Sequence, residues 1–187
     1  MENKYSYVPA SFYHQEYPLS AIRENVEMVL YSVIAVSLPF VLGHPQILVG
    51  AVVNCALVLA ALNLRGKSLL PIIVLPSIGA YLAGYIFGAS SYALIYLNPF
   101  IWVGNALLVY SVKELYLAKG QNRALALCQG ALWKSAFLFA SAFALYSLGL
   151  IPGQFLVAMG VFQLGTALLG GSAALVLQEV KKRFLAG

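Results

Sequence analysis

The sequence predicts an all-α membrane protein, a compact bundle of six transmembrane helices with both termini in the cytoplasm. Three observations predict it. Of the 187 residues, 61% are hydrophobic and only 9% charged, and the mean hydropathy is +0.85. A soluble domain carries about a quarter charged residues, so lipid is expected to be the solvent here. Apolar stretches of about 20 residues, enough to cross a hydrocarbon core of about 30 Å, recur along the chain. The basic residues fall in alternate breaks between those stretches, as the orientation rule for membrane helices requires.

The spans are expected at roughly Val26 to Leu42, Pro45 to Leu64, Ser68 to Phe87, Tyr92 to Val112, Ala124 to Leu148 and Gly153 to Gln178. Glycine, proline or charge marks each break: Gly43-His44-Pro45, Arg65-Gly66-Lys67, Gly88-Ala89-Ser90-Ser91, Lys113 to Arg123, and Gly149 to Gly153. Residues 1–24 form an aromatic-rich N-terminal cytoplasmic or interfacial segment, 25–180 the six-helix domain and 181–187 a basic C-terminal tail. Tyr5, Tyr7, Phe12, Tyr13, His14 and Tyr17 crowd the first segment. Such aromatics ordinarily sit at the lipid–water interface; the other reading is a plug or partner-binding arm. A cleavable signal is not expected, because the basic start and apolar run are missing.

Lys4 and Arg23, then Arg65 and Lys67, then Lys113, Lys119 and Arg123, then Lys181, Lys182 and Arg183 lie on one side, ten of the eleven basic residues. That side is the cytoplasm by the positive-inside rule. The net charge of +5 is thus read as membrane orientation, and no nucleic-acid partner is expected. Cys55 and Cys128 lie in apolar runs and read as small apolar residues rather than a disulfide.

The eleventh basic residue is Lys134, about eleven residues into the fifth span and so about 16 Å deep. An ammonium at that depth costs at least about 2.5 kcal/mol and normally faces a bundle interior or cavity. No span holds an acid near its middle: Glu2, Glu16, Glu24, Glu27, Glu114 and Glu179 are terminal or in loops. Carbonyls, amides, water, deprotonation or a bound anion must therefore accommodate Lys134. Snorkelling would carry the head only about 6 Å, and the depth favours contact with a ligand or anion.

Asn54, Asn98, Asn105 and Gln163 lie at similar depth. Asn98, Trp102 and Asn105 share one helical face by their i, i+4, i+7 spacing. Unpaired amides in hydrocarbon are costly, so these groups are expected to converge on one interior volume, although each amide alone reads more readily as an interhelical hydrogen bond. Gln129 reads as structural. Gly84 and Gly88, the stripe Ala136, Ala140 and Ala144, and Gly165, Gly170 and Gly171 read as helix-packing positions. Pro39, Pro71 and Pro76 are expected to bend their helices. A phosphate loop, CxxC, HExxH and a pair of membrane histidines are all missing from the sequence, so neither an enzyme acting alone nor a resident cofactor is expected.

Several stretches resemble a known family. They are Pro76-Ser77-Ile78-Gly79-Ala80 with Gly84, Pro99-Phe100-Ile101-Trp102-Val103-Gly104-Asn105, Lys134 with Phe137-Leu138-Phe139, and Gln163 through Gly171. Together they are similar to the substrate-binding S component of energy-coupling factor (ECF) transporters, and to small S-component-like prokaryotic membrane proteins, over about Leu38 to Leu177. The resemblance implies a plasma-membrane subunit for uptake of a vitamin-like nutrient. It also implies a partner transmembrane protein driven by two ATPases. The chain departs from the family pattern in the first span, where Ser32, Ala35, Val36 and Pro39 stand in place of an Ala-x-x-x-Ala docking surface.

The leading reading is a binding subunit for a small anionic or aromatic molecule. Lys134 would face an anionic or carbonyl group, Asn54, Asn98, Asn105 and Gln163 would exchange hydrogen bonds, and Trp102 would stack on the ligand. The alternative is a non-transporting anchor subunit of a redox or other complex, holding a quinone or lipid in the same pocket. A pore or a carrier coupled to protons through Lys134 is a third.

Overall fold

The computed structural model describes residues 9–42, 45–84 and 86–186. Glu2, Lys4, Tyr5, Tyr7, Gly43 and His44 lie outside the described residues. Among those described there is no strand, and six helices are long and apolar enough to cross a membrane. They are Ala21–Leu42, Gln46–Asn63, Gly66–Ala83, Gly88–Ala118, Arg123–Ser147 and Gln154–Phe184, here the first to sixth helices.

Local chemistry explains most boundaries. Pro45 precedes the second helix in extended backbone, and Asn122 caps the fifth by accepting from the amides of Ala124 and Leu125. The third helix ends at Ala83, four residues short of the expected Phe87, and the fourth starts at Gly88, four before Tyr92; three further ends extend the sequence reading. The first helix starts five residues earlier, at Ala21. The fourth runs on through a π-helical turn, Val112–Ala118, so Lys113 is helical and not in a loop. The sixth continues past Gln178 and carries Lys181 to Arg183 on its last turns. These additions are polar, and hydropathy alone cannot tell the wet end of a helix from a loop. Pro71 occupies the first turn of the α-helical part of the third helix, where no hydrogen bond is lost, and starts that helix instead of bending it. Pro39 and Pro76 lie within helices.

Glycine sets the closest approaches. At Gly170 an added Cβ would meet the backbone of Ala51 and Cys55, and at Gly79 it would lie 2.5 Å from the Val36 carbonyl oxygen. The sixth helix thereby lies against the second, and the third against the first. Gly104 against Leu138, and Gly130 against Ser111 and Leu108, join the fourth and fifth helices in the same way. Three expected packing features are corrected. Gly84 and Gly88 have φ of 74° and 59° and turn the chain between the third and fourth helices. A Cβ added at Gly165 would meet nothing within 4 Å. Ala136, Ala140 and Ala144 are exposed, because the fifth helix turns Leu127, Ala131, Lys134, Leu138 and Ala142 inward.

Residues 9–20 lie across the end of the bundle that carries the charges. Glu16 donates its amide to the Leu62 carbonyl (2.9 Å), Gln15 its side-chain amide to the Asn63 carbonyl (2.5 Å), and Phe12 stacks on Tyr110. This strap is a packed element.

Candidate functional site

Lys134 is 2% exposed. Its Nζ donates to Oδ1 of Asn54 at 2.6 Å and to Oδ1 of Asn105 at 2.8 Å. Both asparagines are oriented by their other ends. Asn54 Nδ2 donates to the Gly50 carbonyl (2.9 Å) and to Thr166 Oγ1 (3.1 Å). Asn105 Nδ2 donates to the Ile73 carbonyl (2.9 Å). Thr166 donates in turn to the Phe162 carbonyl (2.7 Å). With each amide nitrogen committed to donating, each amide oxygen is left to face the ammonium. The second and fourth helices thus meet the lysine of the fifth, and Thr166 of the sixth and a carbonyl of the third hold the two asparagines.

Beside this cluster lies a cavity of about 110 Å³. Lys134, Asn54, Asn105, Thr166, Ser77, Gln163 and Gln46 contribute its polar lining, and its apolar wall includes Val49, Val53, Leu94, Ile101, Met159 and Phe162. Ile86 and Phe87, between the third and fourth helices, also line it, which places it in the half of the bundle away from the strap. In the sixth helix the π-helical turn Ala158–Phe162 carries Ala158, Met159 and Phe162 into the wall, and π-turns commonly re-aim side chains at such places.

Of the sequence-derived candidates, Lys134, Asn54, Asn105 and Gln163 meet at the cavity, whereas Trp102 and Asn98 do not line it. Trp102 packs at the edge of the core, and its indole N–H donates to Ser77 Oγ (2.9 Å). Asn98 is half-buried, and its side-chain oxygen has no hydrogen-bond partner. The Gln163 side-chain oxygen is also buried without a partner. Sequence reasoning missed Thr166, Gly50 and Ser77. The spacing of Gly50 and Asn54, i and i+4 on one helix, was the available signal, since a Cβ at Gly50 would lie 2.9 Å from Thr166.

A second buried lysine was also missed. Lys113 is 0% exposed, and its Nζ donates to the carbonyls of Leu64 (2.6 Å) and His14 (2.5 Å). It ties the strap to the bundle. Around it Asn63, Gln178 and Tyr31 exchange hydrogen bonds of 2.9 to 3.3 Å, and Tyr31 donates to Glu27 (2.7 Å). This inner network joins the first, second and sixth helices. No protein-family model, curated protein or solved structure matches the chain.

Proposed function

We propose that this chain is the substrate-binding subunit of an uptake system in a prokaryotic cell membrane, with both termini in the cytoplasm and the Lys134 cavity in the outer half of the bundle. The observation that carries the reading is a buried ammonium, held by two neutral amide oxygens, on the wall of a mostly apolar cavity. Such a combination, a few fixed polar groups in an apolar recess, is what small-molecule sites are made of. Ionisable residues at membrane depth commonly mark substrate or ion pathways.

Charge supports the orientation. Arg65, Lys67, Lys113, Lys119, Arg123 and Lys181 to Arg183 cluster at the strap end, and 84–93 and 148–153 hold no charged residue. The cavity lies on the uncharged side, which faces the external medium in this orientation. The chain holds no phosphate-binding loop of the Gly-Lys-Ser/Thr kind, so a partner transmembrane protein with ATPase subunits would energise release.

The test is gentle purification followed by mass spectrometry of retained small molecules and proteins. A small molecule held by the wild type and lost from Lys134→Ala, with ATPases in the same preparation, is the expected outcome. Wild-type protein carrying no molecule that the variant lacks, or bringing down iron–sulfur or flavin proteins, would sink the uptake reading.

A further inference from the structure

The charge inventory of the bundle names the class of ligand, on the premise that the cavity is a ligand site. Each described glutamate already has a basic partner at the strap end. Glu24 pairs with Arg65 at 2.8 Å, Glu114 with Lys119 at 3.1 Å and Glu179 with Arg123 at 3.3 Å. Glu27 pairs with Lys181 and Glu16 with Lys182. The sequence contains no aspartate. Lys134 therefore has no carboxylate among the described residues, and its two partners are neutral. An ammonium has three donors, and protein atoms take two of them. In the charged form of Lys134, one donor and one unit of positive charge remain for the cavity, and a bound anion favours that form.

The remaining features limit the partner. A single uncompensated charge in a low-dielectric site is balanced by one negative charge, and a second would be as costly as the first was unbalanced. The wall of Val49, Val53, Leu94, Ile101, Met159 and Phe162 takes an apolar body. An apolar cavity of about 150 Å³ holds benzene, so about 110 Å³ is tight for one ring and suits a short branched chain. The unpartnered Gln163 oxygen in the same wall accepts one hydrogen bond.

We infer that the cavity takes a small monocarboxylate with a compact apolar body, its carboxylate on Lys134 and a hydroxyl or N–H group on Gln163. Dianions, cations and sugars lack this match. The inference rests on the uptake reading's premise of a ligand cavity and goes further by specifying charge and size.

The experiment is direct binding to the purified full chain in lipid nanodiscs, using matched acids and amides: benzoate with benzamide, 4-hydroxybenzoate with 4-hydroxybenzamide, and isovalerate with isovaleramide. Phthalate serves as the dianion. Each acid is expected to bind at least ten-fold more tightly than its amide, with phthalate weaker than benzoate. Lys134→Met is expected to abolish the acid's advantage, and Gln163→Leu the advantage of the hydroxylated acid over benzoate. The acid–amide comparison within the wild type needs no variant, and Met159→Trp, which fills the cavity without touching the lysine, should remove binding. Amides or phthalate binding as tightly as the monoacids, in a manner still blocked by Met159→Trp, would overturn the monocarboxylate inference and leave the cavity a ligand site. If no probe binds, the monocarboxylate inference falls, while the small molecules retained on gentle purification still decide the uptake reading.

Discussion

Lys134, Asn54 and Asn105 form a unit whose members cannot be removed independently. Asn105→Leu takes one of two acceptors from a buried ammonium and leaves the Ile73 carbonyl without its side-chain donor. Leaving a buried charged group short of partners costs about 1–3 kcal/mol or more. The expected outcome is a loss of that size in denaturant unfolding of the detergent-solubilised protein. Lys134→Met alone strands the Asn54 and Asn105 oxygens. In the double variant Lys134→Met with Asn105→Leu, the charge and one stranded oxygen go together. The double variant should therefore lose less stability than the sum of the singles, and a strictly additive cycle would show that the contact is not energetically coupled.

Among the helices, glycines one turn and a little apart have different roles. Gly170 is where the sixth helix meets the backbone of the second, and no side-chain rotation can relieve a Cβ against a backbone carbonyl. Gly170→Ala is expected to cost about 1–3 kcal/mol by forcing the two helices apart. Gly165 has open space, and Gly165→Ala should be neutral, or stabilising by up to about 1 kcal/mol from helix propensity. Thermal melts of the two variants side by side check this, and equal losses would show that the close helix contact is not the cause. The Lys134 cluster depends on the same approach, because Asn54 on the second helix reaches Thr166 on the sixth.

At the scale of the whole molecule, the strap closes the charged end. Burial pushes the Glu16 carboxyl up, but hydrogen bonds from Lys182 and Tyr116 and the charge of Lys182 outweigh it and hold the group below its ordinary value. A carboxyl depressed in the folded state contributes stability above its unfolded value, about 4.3, and loses it as pH falls through the folded one. Melting temperature is thus expected to drop as pH is lowered below about 4.3, with a smaller drop in Glu16→Gln. An identical acid profile in wild type and variant would remove Glu16 from this role. Lys113→Met should leave the His14 and Leu64 carbonyls unpaired and expose residues 9–20 to added protease. A strap as resistant as in the wild type would show that Lys113 does not hold it.

The sequence by itself determined the six apolar helices, the approximate places of their breaks and the anomaly of Lys134, because bilayer thickness and the cost of intramembrane charge act on each segment locally. It also marked Asn54, Asn105 and Gln163, since an amide at membrane depth needs a partner wherever the chain goes. Tertiary structure alone decided the rest. Asn54 lies 80 residues from Lys134, and only helix packing brings their side chains to 2.6 Å. Lys113 read as a loop lysine because its burial comes from a strap about 100 residues earlier in the chain. Trp102 and Asn98 share a helical face with Asn105, yet rotation of the fourth helix against the third sends the indole to Ser77 and leaves Asn98 off the cavity. Periodicity identifies which residues share a face, whereas what that face meets depends on glycine contacts between helices distant in sequence.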